Sequence, residues 1–503
     1  MERLTSIPLA TARLRISLPT LVMLFAFGTV LCWGRTVLVD PDTYMHVAVG
    51  RWILAHHAAP HVGIFSETMP NARWVADEWL AQAILGLLYT VWGWNGLVLA
   101  TALSFAAALA ALTRYLLRWL EPVHALIAVI FAAGMTLPHL LSRPHIFTFP
   151  ILVFWFGALV VAREHDRAPP FWLLPLMTLW ANLHGSFMFG LIFLGIFAGE
   201  ALYVAKTNAA RLTIVKRWGL FGVLAIAASI ITPFGIYTLW LPFHIMRMSF
   251  ALSALNEWQS PNFEETQLLE AFFLGALALA LMYRPRLPLT RVGMIVLLVH
   301  MALAHRRNVD FLGFLTPLLI GPFVGAQLRS RVTQQISSFD SIFARLAKPA
   351  NFSGMVATAA VLLMASAGYV AYPLVRLPDI HTPSAAVQAA RESHLTDGRV
   401  FNEYGFGGYL MFSGIAPFID GRAELYGDTF FKRYHLAIWG ATDDLPSLLD
   451  EYHITWSIFA AGGTAATLMA HIPGWRRVYA DKIAVVYARL EPTGQANKVG
   501  IEQ

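Results

Sequence analysis

The chain has 503 residues, of which 57% are hydrophobic, 13% aromatic and 13% charged. Soluble proteins carry about 25% charged residues, so this composition excludes a soluble multidomain enzyme, a disordered chain and a collagen; it describes an integral membrane protein with room for one polar domain. The net charge of +6 does not imply a nucleic-acid partner, because the basic residues fall in short loops between apolar runs.

The N-terminus places Arg3, Arg13 and Arg15 before an apolar stretch from about Ile16 to Gly34. No small-residue cleavage site follows, so this stretch reads as an uncleaved first span. It contains Cys32, the single cysteine, which excludes an intramolecular disulfide and a cysteine metal cluster. About eleven spans are expected, near 17–34, 95–117, 123–141, 146–162, 170–184, 185–205, 218–234, 267–283, 287–304, 310–328 and 353–372. Several fall short of the roughly 20 residues a span needs. With the N-terminus inside, the inside loops carry Arg114 and Arg118; Arg163 and Arg167; Lys206, Arg211, Lys216 and Arg217; Arg284, Arg286 and Arg291; and Arg329, Arg331, Arg345 and Lys348. Every inside loop is then basic, and the odd number of spans places the C-terminus outside.

Residues 35–94 form the first outside loop, which opens Asp40-Pro41-Asp42-Thr43-Tyr44-Met45-His46. Asp42 reads as the N-cap of a helix from Thr43 to about His57. Asp42, His46 and Gly50 share a polar stripe on a helix otherwise covered by Tyr44, Val47, Trp52 and Ile53, which suits the membrane interface. A second apolar helix runs from Trp79 to about Trp92 and breaks at Gly93-Trp94-Asn95-Gly96. Two carboxylates here suit chemistry: one accepts a proton from an attacking hydroxyl or amine, and the other orients the acceptor or holds a divalent cation. They equally suit a helix cap beside a solvated acid. A bound manganese, magnesium or zinc ion would take Asp42 and His46 as its best ligands.

Other outside turns hold Arg143-Pro144-His145 and His305-Arg306-Arg307-Asn308, whose arginines run against the positive-inside bias. Asn182-Leu183-His184-Gly185-Ser186 is a polar island between apolar runs, either functional or a tight hairpin. Glu257, and Glu264-Glu265, lie in the loop 235–266 and are either acceptor contacts or solvated.

From about Pro373 the composition changes to mixed α/β. A helix near 384–394, strands at 399–402 and 417–420, a helix at 445–453, a strand at 454–459 and a hairpin of Trp475–Tyr479 with Ile483–Arg489 are expected. The chain thus divides into a transmembrane domain, 1–372, and an extracytoplasmic α/β domain, 373–503. Asn402-Glu403-Tyr404-Gly405-Phe406-Gly407-Gly408-Tyr409 fits a nucleotide loop poorly and suits close backbone packing. Asp420-Gly421-Arg422 is either an acceptor-reading pair or a structural ion pair.

The order of span, acidic loop, two interfacial helices and span resembles the GT-C superfamily of polyprenyl-phosphate-sugar-dependent membrane glycosyltransferases. The resemblance covers about residues 15–330 in topology and about 35–100 in local pattern. The D-x-D-x-x-x-H start, the Asn182-Leu183-His184-Gly185 turn and the Asn402-Glu403-Tyr404-Gly405 and Asp420-Gly421-Arg422 motifs also resemble a broad group of bacterial membrane proteins within or near it. The resemblance implies a GT-C-like bundle in the bacterial cytoplasmic membrane and inverting transfer of a sugar from a polyprenyl-phosphate donor to an outside glycan, lipid or protein of the cell envelope. Asp40 or Asp42 would be the general base, with His46 orienting the base or the acceptor. Arg143, Arg306 and Arg307 would hold the donor phosphate, and His184, Glu257, Asp420 and Arg422 would contact the acceptor. The competing expectation is a non-catalytic scaffold that binds or exports a lipid-linked glycan on a degenerate GT-C fold.

Overall fold

The computed structural model describes residues 14–264, 267–330, 338–376 and 379–490; Arg3, Arg13, Glu265 and Arg331 lie outside the described residues. The fold is mostly helical. Helix α1 (Leu18–Cys32) leads through a short loop to α2 (Asp42–His56) and then to α3 (Trp79–Leu116). Among the described residues, seven helices are long and apolar enough to cross a membrane: Trp79–Leu116, Pro122–His139, Pro144–Glu164, Phe187–Val204, Asn208–Ser229, Arg306–Arg329 and Phe352–Val370. Four shorter apolar helices, Leu18–Cys32, Leu173–Leu183, Leu268–Tyr283 and Leu289–Ala304, occupy the other places where spans are expected. The chain is therefore a multi-pass membrane protein.

Two glycines bring α2 onto α3. A Cβ on Gly50 would lie 1.9 Å from the Gln82 carbonyl oxygen, and one on Gly86 would lie 2.5 Å from the Gly50 carbonyl carbon. Only hydrogen at both positions allows this backbone approach. The polar stripe of α2 therefore faces protein, and His46 is 2% exposed. The expected break at Gly93 is present as a kink with φ 57° inside the otherwise continuous α3. Two buried asparagines tie the bundle. The Asn95 amide donates to the Tyr369 carbonyl at 2.7 Å, and its oxygen accepts the Leu374 N–H at 2.6 Å, anchoring the chain that leaves the Phe352–Val370 helix. Asn182 accepts the Trp79 indole N–H at 2.8 Å and donates to the Thr178 and Ile231 carbonyls.

The C-terminal sheet has four strands, β1 (Val400–Asn402), β2 (Trp456–Ala460), β3 (Trp475–Ala480) and β4 (Ala484–Arg489), in the order β1-β2-β4-β3. β1 runs parallel to β2, with Val400 opposite Trp456, while β4 is antiparallel to β2 and β3. The apolar run of β2 is central and buried. β3 carries Arg476 and Arg477 on the free edge, which discourages pairing with another chain.

The strand expected at 417–420 does not form. The Asn402 side chain takes its backbone groups instead, accepting the Phe418 N–H at 2.8 Å and donating to the Ile419 carbonyl at 2.9 Å. The first loop takes others: Glu67 N–H donates to the Pro417 carbonyl and the Thr68 hydroxyl to the Phe418 carbonyl. The charged turn expected after Asp420 is the start of a helix, Ala423–Ile438, kinked at Gly427 where φ is 75°. One hydrophobic cluster joins Met45, Val49 and Ile53 of α2 with Trp74 and with Phe401, Phe418 and Tyr434 of the C-terminal domain. The C-terminal domain thus packs on the first loop through this cluster, while Val387, Val400, Leu410 and Trp456 belong to a separate core of its own.

Candidate active site

The segment between α1 and α2 turns sharply at Asp40-Pro41-Asp42. The helix begins at Asp42 itself, and the side chain of Asp40 accepts the Asp42 N–H at 2.8 Å. Asp40, and not Asp42 as expected, therefore supplies the oxygen that stops the helix start from fraying. Asp42 is left free to face Arg143.

Arg143 gathers three carboxylates. Its Nη2 donates to Asp42 Oδ2 at 2.8 Å, and its Nη1 lies 3.5 Å from Asp40 Oδ2 and 3.3 Å from both Glu257 oxygens. The residues come from the first loop, from the turn before the Thr148–Glu164 helix and from a one-turn helix at Asn256–Trp258. One guanidinium cannot neutralise three acids, so their environment decides who keeps a proton. Burial pushes the Asp42 carboxyl up to about 7, with Arg143 opposing and Asp40 and Glu257 adding to the rise. Burial also pushes Glu257 up, but Arg143 and then Arg307 outweigh it and hold that carboxyl at about 2. Asp42, in contrast to Glu257, is thus poised to exchange a proton near neutral pH.

A second group lies beside it. Gln82 Nε2 and His46 Nδ1 share a hydrogen bond at 3.3 Å, and Glu78 Oε2 stands 3.8 Å from the same nitrogen. Glu78 Oε1 stands 3.4 Å from His184 Nε2. His184 Nδ1 accepts the Ser186 N–H at 3.1 Å, so its proton sits on Nε2 and is donated toward Glu78. Burial, reinforced by Arg143 at His46 and by Arg307 at His184, lowers both imidazoles and keeps them neutral. Burial and Asp77 raise Glu78, and burial with Glu424 raises Asp77 to about 7. His46 Nε2 is buried without a hydrogen-bond partner among the described residues.

Asp42 and His46 sit one turn apart on α2 but face different partners. Among the described residues, no three His, Cys, Asp or Glu side chains converge as a metal site. The place between Asp40, Asp42 and Glu257 is held by a guanidinium. This arrangement does not fit a divalent cation on Asp42 and His46.

The remaining expected residues divide. Arg307 places its guanidinium 4.5 Å from the Trp258 ring centroid, and among the described residues it makes no carboxylate ion pair. Arg306 is exposed on the next position. Asp420 and Arg422 are buried against each other, with Arg422 Nε and Nη2 donating to the two Asp420 oxygens at 2.8 and 2.6 Å. Tyr426 O–H donates to Asp420 as well, at 2.7 Å. Burial pushes Asp420 up, but Arg422 outweighs it and leaves the carboxyl below its ordinary range. With exposures of 0% and 2%, the pair presents no surface to an acceptor, so the acceptor-reading expectation for Asp420 and Arg422 is corrected to a structural ion pair.

Sequence reasoning missed Arg376 and assigned no role to Glu78. The Arg376 Nη2 donates to the Asp40 carbonyl at 3.1 Å, and its guanidinium stacks 4.0 Å over the Tyr44 ring. It lies more than 330 residues along the chain from Asp40, and no local pattern signals such a contact.

No family model and no curated protein matches the chain. Solved structures do. The archaeal oligosaccharyltransferase AglB from Archaeoglobus fulgidus, in complex with an inhibitory peptide and a dolichol-phosphate, is similar at a TM-score of 0.53 and 11% identity, over 94% of this chain and 75% of that one. An Archaeoglobus fulgidus oligosaccharyltransferase in the apo form gives 0.51 and 10% identity, over 88% of this chain and 69% of that one. ArnT from Cupriavidus metallidurans in the apo state gives 0.50 and 14% identity, over 93% and 97%. At these identities the likeness is one of fold alone; the neighbours are GT-C membrane glycosyltransferases.

Proposed function

We propose that the protein is an inverting glycosyltransferase that moves a sugar from a polyprenyl-phosphate donor to an acceptor of the cell envelope, on the extracytoplasmic side of a bacterial cytoplasmic membrane. The observation that carries this reading is Asp42. It is a carboxylate in the first loop of a GT-C fold, held by Arg143 and brought by burial to a value of about 7. Both oxygens of its neighbour Asp40 are engaged, one by the Asp42 N–H and one by Arg143, whereas Asp42 Oδ1 has no hydrogen-bond donor among the described residues.

In this reading the acceptor hydroxyl or amine attacks the anomeric carbon from the face opposite the phosphate. The new bond forms as the bond between the anomeric carbon and the phosphate oxygen breaks, and the configuration inverts. Asp42 takes the acceptor proton, and polyprenyl phosphate leaves with the bonding pair. Arg307 is the guanidinium free to meet the departing phosphate, with Arg306 beside it. Arg143 is occupied by three acids, so its part is to orient Asp42. His46, neutral and with its Nε2 unpartnered among the described residues, is the hydrogen-bonding group for the acceptor, and His184, with both ring nitrogens engaged, positions Glu78 beside it. The test is transfer from a polyprenyl-phosphate sugar in a purified, lipid-reconstituted protein. Asp42→Asn is expected to lose on the order of 10² to 10⁴ in rate while remaining folded; unchanged transfer, or none by the wild type, favours the glycan-binding scaffold.

A further inference from the structure

Two glycines of the C-terminal domain touch consecutive residues of the first-loop motif. A Cβ on Gly421 would lie 2.3 Å from Asp42 Oδ1 and 3.0 Å from its carboxyl carbon. A Cβ on Gly408 would lie 2.6 Å from the Pro41 carbonyl oxygen. Neither glycine has the left-handed backbone that would itself demand glycine, so closeness to the motif is what each position requires.

The turn that carries Gly421 is rigid. The buried Asp420 and Arg422 flank it, joined by two side-chain bonds and by the Arg422 N–H to Asp420 Oδ1 at 3.0 Å. Tyr426 and the Asn402 side chain hold it from behind, and the Tyr434 hydroxyl fixes Asn402 through its carbonyl at 2.9 Å. Arg422 also stacks 4.6 Å over Trp74 of the first loop. Although Arg422 Nη1 has no hydrogen-bond partner among the described residues, a buried network with this many side-chain bonds favours one geometry. It explains both C-terminal motifs, which the transfer chemistry leaves unused.

We propose that Gly421 is a positioning residue for Asp42: the Asp420-Gly421-Arg422 turn is a wall that fixes the carboxylate so that Oδ2 stays on Arg143 and Oδ1 meets the acceptor. The C-terminal domain is therefore part of the active site. A side chain at 421 pushes the carboxylate off this wall. Misplacement of a reacting group by about 1 Å costs up to about 10² in rate, without touching the donor site. This rests on the transferase reading above.

Two measurements on the full-length reconstituted protein test it. The first is a size series, Gly421→Ala and Gly421→Val. The expected result is that kcat falls between about ten- and a hundredfold, more for valine, while the KM for the polyprenyl-phosphate sugar stays within about twofold. A merely structural glycine would instead lower the amount of folded protein and leave kcat per folded molecule unchanged. The second reads the contact without activity: Asp42→Cys with Gly421→Cys, in a Cys32→Ser background because Cys32 is exposed. The Cβ atoms fall within the range of about 3.5–4.5 Å that a disulfide spans, so mild oxidation should join the two segments. A wild-type kcat in Gly421→Ala, or no crosslink in the folded double-cysteine protein, overturns the proposal. If the wild type transfers no sugar while the crosslink forms, the transferase reading fails and the seating of residue 42 on the turn stands.

Discussion

Replacing Arg143 with methionine keeps the length and apolar body of the side chain and deletes its charge. The guanidinium stands 2.8 Å from Asp42 Oδ2, and each side chain is 20% exposed. Two unit charges 4 Å apart interact by about 4 kcal/mol at an effective dielectric of about 20. Discounting that by half for solvent at the mouth of the crevice leaves about 2 kcal/mol. At 1.36 kcal/mol per pH unit, the Asp42 carboxyl rises by about 1.5 units. The sign is fixed by chemistry: the base works only when ionised, and removing its cation makes ionisation harder. The wild-type rate should therefore rise with pH through about 7, and the Arg143→Met rate should rise through about 8.5. The assay is the initial rate of sugar transfer across the neutral and alkaline range at saturating donor. A midpoint that stays where the wild type has it, or moves to the acid side, refutes the assignment of Arg143 and Asp42 as the working pair.

Arg307→Ala removes the half-buried guanidinium over Trp258; the KM for the polyprenyl-phosphate sugar should rise about tenfold or more, as expected for losing a charge-assisted phosphate contact, and an unchanged KM assigns the phosphate elsewhere. Arg422→Met leaves Asp420 buried without its cation, and loss of one partner of a buried pair costs about 3–5 kcal/mol, read as a drop in the thermal midpoint. Because the Asp420 carboxyl is held below its ordinary value, its share of stability is present above 3.8 and fades as the pH falls through the folded value. The wild type should lose that share in acid, and Arg422→Met should show a flatter acid limb.

Local patterns in the sequence carry much of the helical framework and the start of the site. Asp40-Pro41-Asp42 announces a helix start because a short acidic side chain and a fixed proline φ both favour one, and the structure places α2 there. The break at Gly93 and the hairpin of β3 with β4 are equally local signals. What the sequence does not show is pairing at long range. Asn402 replaces a ladder partner for 417–420, so a run that looks like a strand is not one. Arg376 reaches Asp40, and Gly421 reaches Asp42, from more than 300 residues away. The Asp420 and Arg422 side chains look chemically available in a one-dimensional reading because burial is a property of the packed chain. The same holds for Glu78, whose place between two histidines depends on the turn at His184.

The measurement that bears most directly on the account is native mass spectrometry of the gently purified protein, wild type and Asp42→Asn, before and after addition of an envelope acceptor extract. The account predicts a bound polyprenyl-phosphate sugar in both proteins. In the wild type the extract should convert it to polyprenyl phosphate, and in Asp42→Asn the sugar should stay on the lipid. Ordinary phospholipid alone in both proteins, or equal conversion in the two, would contradict it.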